Sequence, residues 1–368
     1  MSTSDHVRKI VEILDVRVQE QNLGKPFFEE SVYEPFPFSK ENFKPIRKIN
    51  SRRKTAFVDG GNQEIFGGSN FSIQANRLFY DIFDGQKRVE NGSIPDVVEF
   101  FSITSSAFKN GKIFYDTHLL PVNDKFRELL PSEADLSFNS FDRTVTVGTM
   151  RADIQRVASI ARRFAEWSYA YYIMGKVLEE GDIIVFDGSL QTVFTNESKY
   201  TRRIYELAKS KGVIVTGLSK TCRLFTDTGL SLLGAIGRLA EDIDYGLWYF
   251  PVVEVISADH NVIIYVVKLN ENAEYIFRFE IYREQFLEMD KNEVDEVFSR
   301  LAENSVDLSF AGYPYGLIVA DLFSRIRAEE VEMYRGILLS EMLSQGKLPK
   351  FIKYVRTVDA HDVLNSIG

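Results

Sequence analysis

"DIIVFDGSL", residues 182–190, is a short apolar run that stops on Asp187 and Gly188, and "KTAFVDGGN", residues 54–62, stops in the same way on Asp59 and Gly60. Side chains alternate across a strand, and an acid closing an apolar run sits where the sheet opens to water. Such an acid is rigidly held yet remains wet. Glycine directly behind it lets the chain turn sharply and lets another group approach the backbone. Two acids of this kind on neighbouring strands repel unless a proton or a cation lies between them. Hard divalent cations, Mg²⁺ and Mn²⁺, prefer carboxylate oxygens and accept water or phosphate as remaining ligands, a combination suited to phosphodiester cleavage. The competing reading is an ordinary Asp-Gly turn after a strand, and on sequence physics alone both stay open.

Composition sets the frame. A chain of 368 residues, 45% of them hydrophobic, has enough material for one large domain or two ordinary ones. No apolar run approaches a membrane span, and "MSTSDHVRKIVEILDVRVQEQ" carries charges throughout, unlike a secretory signal, so a cytoplasmic protein with no membrane contact is expected. Cys222 is the single cysteine, which excludes an internal disulfide and multi-cysteine zinc or iron–sulfur centres. The net charge of -9 argues against a surface coated with nucleic acid, although "KPIRKINSRRK", residues 44–54, is either a local basic groove or a solvated linker.

Along the chain, Val7, Ile10, Val11, Leu14 and Val18 recur at helical spacing and predict an amphipathic helix over 5–20. Residues 24–50, with their prolines, read as a connector into a strand that ends at Asp59. Strands are expected at 69–83, 96–106 and 111–120, the last two joined by a tight turn at Asn110-Gly111, and residues 121–147 read as an exposed insertion. A helical stretch of about thirty residues then leads into the Asp187 strand. Helices over 197–211 and 227–241 around the strand "VIVTGL" look like α/β units; strands at 248–256, 261–269 and 274–283 and helices near 292–304, 315–327 and 329–345 follow. The economical architecture is α/β, one mixed sheet with helices packed on it, without internal repeats.

Further polar residues interrupt apolar helices. Glu166, in "RRFAEWSYAYYIM", either faces solvent or aims inward at a cation. Asp321, in "GYPYGLIVADLFSRI", lies two turns after Tyr313 on roughly the same face, and is otherwise a solvated helical aspartate. Lys220, behind "VIVTGLS", can reach a phosphate as a point charge, where the plain alternative is a surface lysine.

The order of "FVDGG", a helical glutamate about twenty residues before "VFDGSL", then "TGLSKT" and "GYPYGLI", resembles the NurA nuclease family over roughly residues 50–330. The resemblance implies a ribonuclease H-like core and Mn²⁺- or Mg²⁺-dependent 5′-to-3′ exonuclease and single-strand endonuclease activity on DNA ends. It also implies a toroidal homodimer working with the hexameric translocase HerA in double-strand-break resection. On it, 1–50 is an N-terminal helix and connector, 51–330 the nuclease domain and 331–368 a C-terminal helical segment. Carried over by position, Asp59, Glu166 and Asp187 become catalytic metal ligands, Tyr313 the aromatic of the late Tyr-Pro motif and Lys220 the basic residue at the scissile phosphate. Asp321 stands where many members have histidine: it can bind a hard cation through oxygen but cannot act as a neutral imidazole or a proton donor near neutral pH. Of His6, His118, His260 and His361, only His361 is a conceivable substitute.

An aspartyl-phosphate phosphatase would want a second acid two residues after its nucleophile, where Gly61 and Ser189 stand. Phosphate loops, G-x-S-x-G elbows and G-x-G-x-x-G fingerprints are missing. The remaining alternatives are a catalytically silent subunit that docks on the translocase as a scaffold, and a DNA-binding module without metal chemistry.

Overall fold

The computed structural model describes residues 3–17 and 22–353; His361 lies outside them. In chain order the elements are α1 (Thr3–Arg17), β1 (Tyr33–Pro35), β2 (Lys44–Pro45), β3 (Thr55–Gly67), β4 (Phe71–Asp84), β5 (Lys87–Arg88), β6 (Val97–Lys109), β7 (Lys112–Pro121) and β8 (Ser137–Asn139). There follow α2 (Ile154–Ala158), α3 (Ile160–Lys176), β9 (Ile183–Asp187), α4 (Ser198–Lys211), β10 (Ile214–Ser219) and α5 (Leu232–Leu239). The last third holds β11 (Trp248–Ile256), β12 (Asn261–Lys268), β13 (Phe277–Tyr282), α6 (Arg283–Glu288), α7 (Lys291–Glu303), α8 (Tyr315–Ser324), α9 (Ala328–Ser344) and α10 (Leu348–Ile352).

All strands join one mixed sheet in the order β1-β11-β12-β13-β10-β9-β3-β4-β6-β7-β8, with β2 on β11 and β5 on β4. Its centre is ribonuclease H-like: β3, β4 and β6 run antiparallel, and β9 then β10 continue the sheet parallel to β3. The parallel pairs need crossovers, and the sequence supplies α3 and α4 for them. The Asn110-Gly111 turn has positive φ at both residues, 49° and 76°, as a two-residue hairpin requires.

Alternation along the central strands splits the core into two layers. Ala56, Val58, Ile184 and Phe186 pack with Phe164, Ile173, Ile204 and Ile236 of the helices on one face. Phe57, Ile183 and Val185 pack with Val297, Phe298, Leu301 and Leu317 on the other. These strands are apolar on both sides because both sides are covered. Each such fully buried large side chain contributes about 1.5–3 kcal/mol of transfer free energy.

Three sequence expectations change. The Asp59 strand does not end at Asp59: it continues to Gly67 along β4, with a register shift between Glu64 and Phe66. What ends there is the pairing with β9, whose last partnered residues are Val58 and Phe186. The 121–147 stretch is no exposed insertion, since Leu129, Leu130, Leu136, Phe138 and Val145 are buried in the main core. The 24–50 connector supplies two short strands to the sheet edge, β1 and β2, both on β11. In the basic segment, Arg53 is occupied by Glu296, Glu293 and the Gly181 carbonyl. Val7, Ile10, Val11 and Leu14 of α1 are all exposed. Among the described residues no helix is long and apolar enough to cross a membrane.

Candidate metal centre

Where β9 stops, β3 keeps going, and the sheet splits open beside Val58 and Phe186. Asp59 and Asp187 are the next residue on each strand. They share the parity of Phe57 and Val185, so both point to the face covered by α7 and α8. The α8 helix crosses that face and lowers Asp321 toward them. One carboxylate oxygen from each of Asp59, Asp187 and Asp321 lies within 4.8 Å of the others, and all three residues are half-buried.

Their remaining partners are polar side chains of the same neighbourhood. Lys220, just past β10, donates to Asp187 at 2.7 Å and to Asp321 at 3.1 Å. The Tyr313 hydroxyl donates to Asp187 at 3.2 Å, and Lys220 lies over the Tyr313 ring. Asp59 accepts from the Gly60 N–H at 2.7 Å and, more weakly, from the Ser324 hydroxyl at 3.4 Å. Arg325 grips the outer oxygen of Asp321.

Glu166 approaches from the opposite face of the sheet. It comes from α3 and pairs with Arg162 one turn earlier, whose other contact is the Gly60 carbonyl at 3.3 Å. A side chain at Gly60 would put its Cβ 2.7 Å from the Glu166 carboxylate, so the glycine opens a window through which this acid nears the others. Gly188 has a different duty: its φ of 132° is a backbone conformation that side chains disfavour, and it turns the chain away from Asp187. Those are the two reasons for an acid followed by glycine.

If all are ionised, four carboxylates (Asp59, Glu166, Asp187, Asp321) face three cations (Arg162, Lys220, Arg325), leaving one negative charge over. Asp59 bears it. Burial, then the charges of Glu166 and Asp187, push its carboxyl up to about 8. Glu166 is likewise raised by burial, with Arg162 opposing. Asp321 goes the other way: burial would raise it, but Lys220 and Arg325 outweigh that. Burial would lower Lys220, and Asp187 more than reverses it. Tyr313 is pushed far up by burial and by the charge of Asp187, so it stays a protonated donor.

Thus the structure brings Asp59, Asp187, Asp321, Lys220 and Tyr313 together in one cluster, and sets Glu166 behind Gly60 on its own arginine. Arg162, Ser324 and Arg325 were not singled out from sequence. The i,i+4 spacing of Arg162 and Glu166 was the available signal for the first; nothing local marks the other two. Hard oxygen donors converging with an excess negative charge are the donor set a divalent cation prefers over a proton.

The sequence matches the NurA domain family over residues 53–326, which include every residue of this cluster. The chain belongs to the NurA family. The NurA nuclease from Sulfolobus solfataricus superposes with a TM-score of 0.51 at 15% identity, covering 93% of this chain and 95% of that one. A second NurA crystal structure gives 0.46 at 8% identity, covering 93% and 98%. No curated protein matches the sequence. In this NurA-family chain the mixed sheet with flanking helices is therefore the family fold.

Proposed function

We propose that this chain is a divalent-metal-dependent deoxyribonuclease, hydrolysing phosphodiesters with Mn²⁺ or Mg²⁺ held by Asp59, Asp187 and Asp321, and with Glu166 completing the acidic shell from behind. The observation that carries the proposal is the convergence of three carboxylates from three separate elements within 4.8 Å. A cation bound there would supply Lewis acidity at a phosphate oxygen and a water of lowered pKa. Asp59, kept largely protonated by its neighbours, would become a ligand by losing that proton to solvent.

The chain's own residues supply the rest. Lys220 bridges Asp187 and Asp321, and on moving off either acid its ammonium meets a non-bridging phosphate oxygen as a point charge. Tyr313 holds one oxygen of Asp187 and so fixes which oxygen is free to coordinate. Arg162 pairs with Glu166 and holds it turned toward Gly60. Asp321 in place of the histidine common in the family makes the shell all-oxygen, which favours a hard cation but removes an imidazole proton donor.

Membership of the family supports extending the reading to a 5′-to-3′ exonuclease with single-strand endonuclease activity on DNA ends. It supports equally a homodimer serving a HerA-like hexameric translocase in double-strand-break resection, in the cytoplasm. The test is digestion of end-labelled linear DNA by the purified protein with Mn²⁺, beside an Asp59→Ala/Asp187→Ala variant. Degradation by the parent alone is expected. Equal inactivity of the two, with or without the translocase, would instead leave a scaffold subunit.

A further inference from the structure

The segment that follows Asp187 is fixed from beneath by a buried acid that belongs to none of the motifs described above. Glu280, on β13, is fully buried, and Gly217 of β10 is its direct partner across the sheet, which sets Glu280 next to the strand that flanks Asp187. Its Oε2 accepts from the backbone N–H of Leu190 at 2.9 Å, from His260 Nε2 at 3.0 Å and, at 3.4 Å, from the Ser189 hydroxyl. Its Oε1 lies 2.6 Å from the Arg278 guanidinium, and His260 is itself buried. Burial alone would raise this carboxyl, but Arg278 and then His260 outweigh it and bring it down to about 2, so the group is a permanent anion at neutral pH.

The Ser189 hydroxyl and His260 Nε2 both turn to the Glu280 carboxylate, so among the described residues that hydroxyl has no imidazole to activate it as a nucleophile. What Glu280 does hold is backbone. The Leu190 N–H is three residues from Asp187, and on the near side the Gly188 N–H is tied to the Leu218 carbonyl at 2.8 Å. With Gly188 in a positive-φ turn, these two anchors leave the Asp187 backbone one orientation.

We propose that Glu280 is a positioning residue of the metal centre: by gripping the Leu190 N–H it fixes the turn that aims Asp187 at Asp59 and Asp321. This deepens the nuclease reading and rests on it. Glu280 is not one of the three clustered carboxylates; it acts through the backbone, as outer partners of metal ligands do.

The experiment has three parts. In the metal-free parent, the Leu190 amide should exchange with solvent as slowly as the amides of β9; a fast-exchanging Leu190 overturns the proposal without any variant. In the second part, Glu280→Gln, which keeps an acceptor for Leu190, is compared with Arg278→Met/Glu280→Leu, which removes clamp and counter-charge together. Calorimetric titration with Mn²⁺ should show the Gln variant within about threefold of the parent and the double variant about 10- to 100-fold weaker. DNA affinity in chelator should stay within about twofold in both, a split that general loosening would not produce. Mn²⁺ binding by the double variant equal to the parent, or equal damage in both variants, would overturn it. The third part is the parent's own titration: no Mn²⁺ binding there would strike the nuclease reading itself, and the role of Glu280 with it.

Discussion

The two ends of β9 carry the same residue type with opposite fates. Asp182, just before the strand, is buried, and its two oxygens accept from the backbone N–H groups of Lys54 at 2.8 Å and Glu179 at 2.9 Å. The carboxylate of Asp187, at the far end, has only side chains for partners among the described residues: Lys220 and Tyr313, with two other acids beside it. An aspartate satisfied by backbone is part of the fold's scaffolding, whereas one satisfied by exchangeable side chains can trade them for a ligand. A cleft of about 600 Å³ lies at the Asp182 end, lined by Arg53, Glu179, Glu293 and Glu296. Its size misleads. Arg53 there is already paired with Glu293 and Glu296 of α7 and with the Gly181 carbonyl.

Substituting the two aspartates alike is the sharpest way to break this contrast. Asp187→Asn should lower the Mn²⁺-dependent cleavage rate on the order of 10³-fold and leave the denaturation midpoint nearly unchanged. Asp182→Asn should do the reverse, costing about 1–3 kcal/mol in chemical denaturation, because one of two backbone donors loses its acceptor, while the cleavage rate holds. Matching effects on both quantities would erase the distinction.

Lys220→Met tests the exchangeable partner. Mn²⁺ affinity should hold or tighten, since a competing cation is gone, while turnover falls about 10²-fold. Turnover equal to the parent's would reduce Lys220 to a placeholder for the metal.

Asp81 sharpens the contrast from a third side. It is buried on β4, and neither oxygen has a hydrogen-bond partner among the described residues. Burial pushes its carboxyl up to about 8, with Arg88 opposing and Asp96 adding to the rise. The folded value lies above the unfolded one of 3.8, so the stability this group contributes is complete below about pH 3.8 and is lost as pH rises through about 8. Asp81→Asn should therefore flatten the fall of the melting temperature between about pH 4 and 8, a gain of about 1–3 kcal/mol at the alkaline end. An unchanged slope would mean that Asp81 finds a partner in solution.

Much of the fold was legible locally. The apolar runs ending at Asp59 and Asp187, the Asn110-Gly111 turn and the helical periodicities all follow from neighbours in sequence, and each stands where expected within a few residues. The length of β3 was not legible, because β4, not β9, carries it past Asp59. Nor was the burial of 121–147, whose scattered leucines have no period until the core gives them one side to face.

For the site, the apolar runs marked Asp59 and Asp187, since an acid closing a buried strand is both rigid and wet, while Glu166 and Asp321, on helices, stood out through the family resemblance. Whether they meet was a tertiary decision. It depended on the β3–β9 pairing ending at Val58 and Phe186, one residue before the two aspartates, on α8 carrying Asp321 across the gap, and on Gly60 letting Glu166 near from the other face. Glu280 shows the limit most plainly. Ninety residues separate it from the Leu190 amide it holds, and no local pattern encodes a contact made only when two distant strands become neighbours in one sheet.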